Sequence, residues 1–381
     1  MSWQPVLTDH QAYTYEALAE QTGLPFTAFV TDMEDATRKA QGWTDAHVTH
    51  VNRHQIPHKG FLTFCYRELK ANPDAIHIFG SPFQDIRLMM CWLMAGWLNV
   101  EFYLISEPYS PIDLGYLSES SRFRQRLKAC LRPYIYWVYA HLLRTRTAGI
   151  FAISRRALEQ FRKAGMPAGK LFPFGYFVPS SVLTDDTAHA NALSGEKPLR
   201  LIFVGSLLLT KGIDLLHQAA TRLAHESPAI TIDIYGPGDF SAYDEEDKTG
   251  WRYGGSIPFG QAQSVMAGYD ALVLPSRYDG WGVVVNEALC AGIPVVCSDQ
   301  AGAGILLETF DAGLTFPTGD VKALCRRLLE LRDQPERRLA LKTGARLAAH
   351  MIQPENAARY MWAVMQATPD QKCAIPSPWY A

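Results

Sequence analysis

The chain has 381 residues, which suits two domains of about 150–200 residues better than one. Apolar residues make up 48% and charged residues 19%, a balance that excludes a disordered chain. The formal net charge of −2 argues against nucleic acid as the main partner, because phosphate-backbone binding needs a broad basic surface. The seven cysteines are odd in number and lack CxxC spacing, so reduced, mostly buried thiols are expected rather than a zinc site or a disulfide framework. The N-terminal MSWQPVLTDHQ has no basic stretch followed by an apolar core, so no secretory signal is read and a cytoplasmic location is expected.

Along the first half, strand candidates are FTAFV (26–30), HVTHV (47–51), AIHIF (75–79), VEFYLI (100–105) and GIFAI (149–153). Helical patterns alternate with them at 13–21, 60–70, 83–97, 122–144 and 155–163. Residues 88–105 are long and apolar enough to raise the question of a membrane span. Asn99 and Glu101 interrupt them, and the pattern predicts a buried helix at 83–97 followed by a buried strand at 100–105. The stretch 179–197 is polar, small and weakly patterned, and reads as a linker.

Beyond the linker a second alternation begins. LRLIFVG (199–205), AITIDIYG (229–236), ALVLPS (271–276) and PVVCS (294–298) are strands. Helices are expected at 212–225, in a short segment ending at Met266, at 283–291, 321–331 and 355–366. Strand–helix alternation of this kind predicts parallel sheets covered on both faces, with ligands outside the carboxyl ends of the strands. Motifs that follow strands therefore carry most information.

Three such motifs lie in the second half. In VGSLLLTKGID (204–214), the strand ends at Gly205 and Lys211 precedes Gly212 and a helix, a setting that suits a phosphate. In IYGPGDF (234–240), Gly236 and Gly238 flank Pro237 in a tight turn. In LPSRYDGWGVVVNEALCAGIPVV (274–296), Asp279 sits in the loop after a strand, and Gly280, Trp281 and Gly282 open a helix. Orphan backbone N–H groups and the helix dipole favour an anion there. Glu287 follows Asp279 by eight residues on the second turn, so two carboxylates bracket the helix start and can accept from sugar hydroxyls.

The last segment resembles the E-x7-E signature of family 4 glycosyltransferases, retaining enzymes of the GT-B fold, with Asp279 in place of the first glutamate. VGSLLLTKGIDLL, IDIYGPGDF and AGLTFPTGDVKAL are similar to three further segments of that family, in the same order, over about 199–331. In the first half, FAISRRALEQF (151–161) and FPFGYFVP (172–179) match the family only loosely. The resemblance implies an α/β protein with two Rossmann-like parallel-sheet domains facing an interdomain cleft. Residues 1–180 would form the acceptor-side domain, 181–198 the linker and 199–365 the nucleotide-sugar domain, with a tail from about 366 packing back on the first domain.

Carried over residue by residue, the resemblance implies that Lys211 neutralises the donor pyrophosphate, beside Gly205 and Ser206. Gly280, Trp281 and Gly282 would offer backbone N–H groups, Asp279 would bind the transferred sugar, and Glu287 the ribose. Gly236, Ser256 and Ile257 would complete the donor pocket, the last two near the base. Several positions depart from the family. Ser206 stands where an arginine is usual, so another cation is needed or leaving-group stabilisation is weaker. The stretch 7–18 lacks the usual glycine-rich loop, and His10 is a candidate there for the acceptor side. Glu107 stands where many members have a histidine beside the reacting centre, and is a candidate catalytic or acceptor-side residue. His77 reads instead as a hydrogen-bonded strand residue.

The implied reaction moves a sugar from a nucleoside diphosphate to a hydroxyl of a glycan or lipid-linked acceptor, with retention, in cell-surface polysaccharide or glycolipid synthesis. No D-x-D follows a strand and the acidic run 244–247 reads as a solvated loop, so neither a metal nor another cofactor is expected. Residues 122–146, with six arginines and one lysine around a Tyr/Trp/Leu centre, suggest contact with an anionic membrane at its inner face. A sugar-nucleotide epimerase of the same fold, and a catalytically silent sugar-nucleotide-binding subunit, are the other readings.

Overall fold

The computed structural model describes residues 1–33, 48–80, 85–110, 122–181, 198–226, 230–243 and 250–380. The chain divides into two units. The first holds Met1–Pro111, Cys130–Val178 and Pro354–Pro378; the second holds Ile112–Ala129, Pro179–Gln353 and Trp379–Ala381.

The first unit is built from β1 (Ser2–Gln4), α1 (Asp9–Thr22), β2 (Phe26–Val30), β3 (Val51–Gln55), α2 (Phe61–Ala71), β4 (His77–Phe79), α3 (Ile86–Trp97), β5 (Phe102–Ser106), α4 (Arg122–Leu143, which belongs to this unit from Cys130 onward), β6 (Gly149–Ile153), α5 (Ser154–Lys163) and β7 (Leu171–Phe174). All seven strands run parallel in the order β3-β2-β1-β4-β5-β6-β7. The order reverses between β1 and β4, where Ser2 of β1 pairs with Ala28 of β2 on one side and Ile78 of β4 on the other, and such a switch point opens a crevice at the carboxyl ends of the strands. The apolar stretch 88–105 resolves into α3 and β5, as its sequence predicts, and among the described residues no helix is long and apolar enough to cross a membrane.

One expectation needs correction here, and one strand is new. The strand read at 47–51 begins at Val51, because the backbone N–H groups of Thr49 and His50 donate to the Glu16 carboxylate at 2.8 and 3.0 Å instead of to a strand. Residue 47 itself lies outside the described residues, as do most of the linker and the acidic run 244–247. The interior strand β1 is an addition: Trp3 is fully buried and stacks on Phe79.

The second unit comprises β8 (Leu199–Val204), α6 (Ile213–Glu226), β9 (Ile230–Tyr235), β10 (Trp251–Tyr253), α7 (Ala262–Met266), β11 (Ala271–Leu274), α8 (Val283–Cys290), β12 (Val295–Ser298), α9 (Gly304–Phe310), β13 (Gly313–Phe316), α10 (Val321–Asp333) and α11 (Pro335–Met351). Its six parallel strands follow the order β10-β9-β8-β11-β12-β13, with the switch point between β8 and β11. Alternate residues of β8, β9 and β11 (Leu201, Phe203, Ile232, Ile234, Val273) meet α6 through Leu216 and Ala220 in one apolar core.

The chain then returns to the first unit in α12 (Pro354–Gln366) and α13 (Pro369–Lys372). The return begins at Pro354 rather than near 366, because α12 is the partner of α1: Ala357, Ala358 and Met361 are fully buried, and Gln21 donates to the Glu355 carbonyl at 2.8 Å. All seven cysteines are unbridged. Five are buried, and only Cys130 and Cys373 are exposed.

Candidate functional site

In the second unit, the loops after β8, β9 and β11 meet at the switch point by backbone approach. A Cβ at Gly236 would lie 1.9 Å from the Gly205 carbonyl oxygen, and one at Gly212 would lie 2.0 Å from that of Pro275. Both glycines also have φ in the left-handed region, +145° and +74°. These contacts bring a short 3-10 turn, Leu209–Lys211, against the loop that follows β11. Arg277 fastens the two: its guanidinium donates twice to Asp214 at 2.6 Å and once to the Leu209 carbonyl, and its backbone N–H donates to Thr210. The paired carboxylate holds the Arg277 guanidinium above its ordinary pKa despite burial. The chain gave no sign of this strut, since its partners lie 63 and 68 residues away.

The result is that Lys211 Nζ reaches the carboxylate of Asp279 at 2.6 Å. Asp279 is held from behind by a bridge to Ala301, and the Gly302 N–H donates to its carbonyl. The Trp281 carbonyl accepts from Ala303, and the Trp281 ring is buried with its Nε1 donating to Asn286 at 2.8 Å. The indole thus anchors the loop from inside, which leaves only the Trp281 backbone for a ligand. Gly282 caps α8 with φ +92°, and α8 has no side-chain cap of its own. Its first N–H groups are the orphan donors of a helix start, next to a lysine. Glu287 is half-buried on the second turn of the same helix.

The remaining expected donor residues lie at the same sheet end. Ser206 is half-buried after Gly205, and Gly236 accepts from Tyr253 and donates to Gly255. Ser256 is exposed and Ile257 half-buried in the loop that follows. Arg277 does not take the place of the arginine missing at Ser206, because its fork is filled by Asp214.

In the first unit the structure joins two residues that the sequence kept apart. Glu107, exposed after β5, accepts from the Tyr176 hydroxyl at 2.7 Å, and the Tyr176 ring lies 4.0 Å from that of His10. His10 Nε2 is 2.9 Å from the Thr8 hydroxyl, in the first turn of α1. His10 and Tyr176 edge a small pocket that also includes Thr14, Ile105 and Phe174. Tyr176 was missed because it belongs to a third strand end, after β7. His77 is elsewhere: it is fully buried, accepts from Trp3 Nε1 at 3.0 Å, and burial lowers its pKa to about 4, so it stays neutral.

Residues 184–348 match the family described as Glycosyl transferases group 1. Alpha-D-kanosaminyltransferase of Streptomyces kanamyceticus is 25% identical over 230 residues, 56% of this chain and 58% of its own. O-antigen chain mannosyltransferase B of Escherichia coli is 30% identical over 152 residues, 38% of this chain and 39% of its own. The chain thus spans less than two thirds of the curated relatives it matches. Among solved structures, Anabaena Alr3699/HepE in complex with UDP matches 96% of this chain and 99% of its own with a TM-score of 0.71 at 14% identity. WaaG, a glycosyltransferase involved in lipopolysaccharide biosynthesis, gives 0.63 at 15% identity, over 97% of this chain and 100% of its own. At such identities the likeness is one of fold, and the fold is GT-B.

Proposed function

We propose, from the match of residues 184–348 to the family described as Glycosyl transferases group 1, that this chain is a retaining glycosyltransferase. It moves a sugar from a nucleoside-diphosphate donor to a hydroxyl of a glycan or lipid-linked acceptor, in cell-surface polysaccharide or glycolipid synthesis. The relatives named above transfer kanosamine and mannose, and HepE binds UDP; both facts support this reading.

The observation that carries it is the Lys211–Asp279 pair beside the uncapped start of α8. The hard step is loss of diphosphate from the anomeric carbon. Negative charge grows on the phosphates, and a lysine with preorganised N–H donors stabilises it at the place where it grows. Arrival of the diphosphate gives Lys211 a second anion and frees Asp279 to accept from sugar hydroxyls. Glu287, one turn further on, takes the ribose. In the acceptor-side unit, Glu107, Tyr176 and His10 form the polar edge against which the acceptor hydroxyl is oriented. The leaving phosphate takes the acceptor proton on the same face, which accounts for retention without a protein nucleophile. Transfer is metal-independent in this reading and takes place on the cytoplasmic side, with a peripheral membrane contact through 122–146.

The test is a thermal-shift screen with UDP-, GDP-, ADP- and dTDP-sugars, without added metal. A donor at a hundredfold excess over its Kd adds about 2.7 kcal/mol of stability. At least one donor is expected to raise the midpoint, and Glu287→Ala to abolish the rise while the apo protein stays folded. A screen with no response, or a shift that survives in Glu287→Ala, overturns the reading.

A further inference from the structure

In the first unit, the chain enters α5 through a strained residue. β6 ends at Ile153, and Ser154 turns straight into the helix with φ at +77°. A residue with a Cβ rarely takes such a value. Ser154 is 1% exposed, and its Oγ makes no hydrogen bond among the described residues. A serine at a helix start ordinarily turns its hydroxyl onto the first N–H groups. Here α5 has no side-chain cap, so a buried hydroxyl and the orphan donors of the first turn converge on one place. That turn also carries Arg155 and Arg156 and no acidic residue. Two positive charges at the positive end of a helix work against its dipole, and an anion there relieves both.

The strand registers place this helix start beside the acceptor-side residues. Ser106 of β5 pairs with Ala152, and Ile153 pairs with Phe174 of β7. Glu107 and Tyr176 therefore flank β6, and the hydrogen bond between them spans the point from which Ser154 departs. Gln160, on the second turn of α5, donates to the Tyr109 carbonyl at 2.8 Å and accepts from its N–H at 3.0 Å. That pair ties the loop carrying Glu107 to the helix, and the buried Ala157 and Phe161 fix the helix to its sheet. A phosphate offers three acceptor oxygens to the hydroxyl, the N–H groups and the guanidinium groups. A carboxylate offers only two, and a neutral sugar hydroxyl makes no use of the positive charge. The two arginines outweigh the single negative charge of Glu107, which is left to the acceptor hydroxyl.

We propose, on the transferase reading given above, that the start of α5 binds a phosphate group of the acceptor through the Ser154 hydroxyl, the first N–H groups of the helix and the side chains of Arg155 and Arg156. The acceptor is then a phosphate ester whose reacting hydroxyl lies within reach of Glu107. It is tested by calorimetric titration of the full-length chain, without donor, with glycerol phosphate, inorganic phosphate and glycerol. Lys211→Ala serves as the background, so that the lysine of the second unit makes no contribution. Glycerol phosphate is expected to bind saturably and glycerol not to bind. Ser154→Gly should weaken that binding about tenfold while the thermal midpoint stays the same or rises, because glycine accepts the left-handed φ. Arg155→Gln with Arg156→Gln should weaken it at least as much and flatten its salt dependence. Absence of glycerol phosphate binding, or binding that Ser154→Gly leaves unchanged, overturns the proposal. So does binding of inorganic phosphate with none of the ester, because the site would then serve the free ion and not an acceptor. The donor screen reads the second unit, so a failure there is a separate result from a failure here.

Discussion

Lys211 and Asp279 come from loops 68 residues apart and end 2.6 Å from one another. Removing the lysine takes away a cation beside the start of α8 and leaves a poorly exposed carboxylate without it. Lys211→Ala is expected to lower kcat/KM for transfer about a hundredfold or more, the usual loss for a group that meets developing charge, as read by donor-consumption kinetics. Behind the loop, Trp281 and Asn286 share one buried hydrogen bond. Trp281→Phe should cost about 1–3 kcal/mol in urea unfolding, because Asn286 would keep its burial and lose its partner. Elsewhere, Glu16 has its pKa lowered to about 2: burial raises it, but hydrogen bonds from Thr49 and His50 outweigh that. A carboxylate with a depressed folded-state pKa contributes stability that is complete above its unfolded value near 4.5 and is lost as pH falls toward 2. The thermal midpoint should therefore drop across that window, and Glu16→Gln should flatten the drop.

At the scale of the elements, the turn that carries Lys211 depends on Gly212. Any side chain there meets the Pro275 carbonyl at 2.0 Å with φ at +74°. Gly212→Ala is expected to cost about 2 kcal/mol or more and to weaken donor binding together with stability, measured by paired denaturation and thermal-shift titrations. The sequence disclosed this region well, because glycines, a lysine and two acidic residues keep a spacing that the loop geometry requires. It disclosed the short strands poorly. β1 has three residues, SWQ, too few to show a period of two, although it lies inside its sheet with a neighbour on each side. β7 contains Pro173 and reads as loop, and the 17-residue α11 begins at Pro335 after a helix and was not foreseen. The Glu107–Tyr176–His10 group joins the loop after β5, the loop after β7 and the start of α1, and no spacing along a chain reveals such a meeting. Arg277 is the same case: an arginine beside a recognised motif whose partner, Asp214, is fixed only by the tertiary fold.

At the scale of the whole molecule, the first unit is completed by the end of the chain. α12 covers α1, and Lys372 in α13 is buried over the Tyr103 ring at 4.9 Å. A chain that stops at Gln353 would uncover several apolar side chains, at roughly 1.5–3 kcal/mol for each large one. It should be cut rapidly within residues 1–33 under limited proteolysis, while the second unit persists as a resistant fragment. The cysteines have a practical consequence as well. With five thiols shielded, a maleimide dye should react with the native protein at two places. One, Cys130, stands a helical turn before Tyr134 on the outward side of α4; the other, Cys373, follows α13. The native chain thus offers a matched pair of reporters, one to sense lipid and one to serve as its built-in reference.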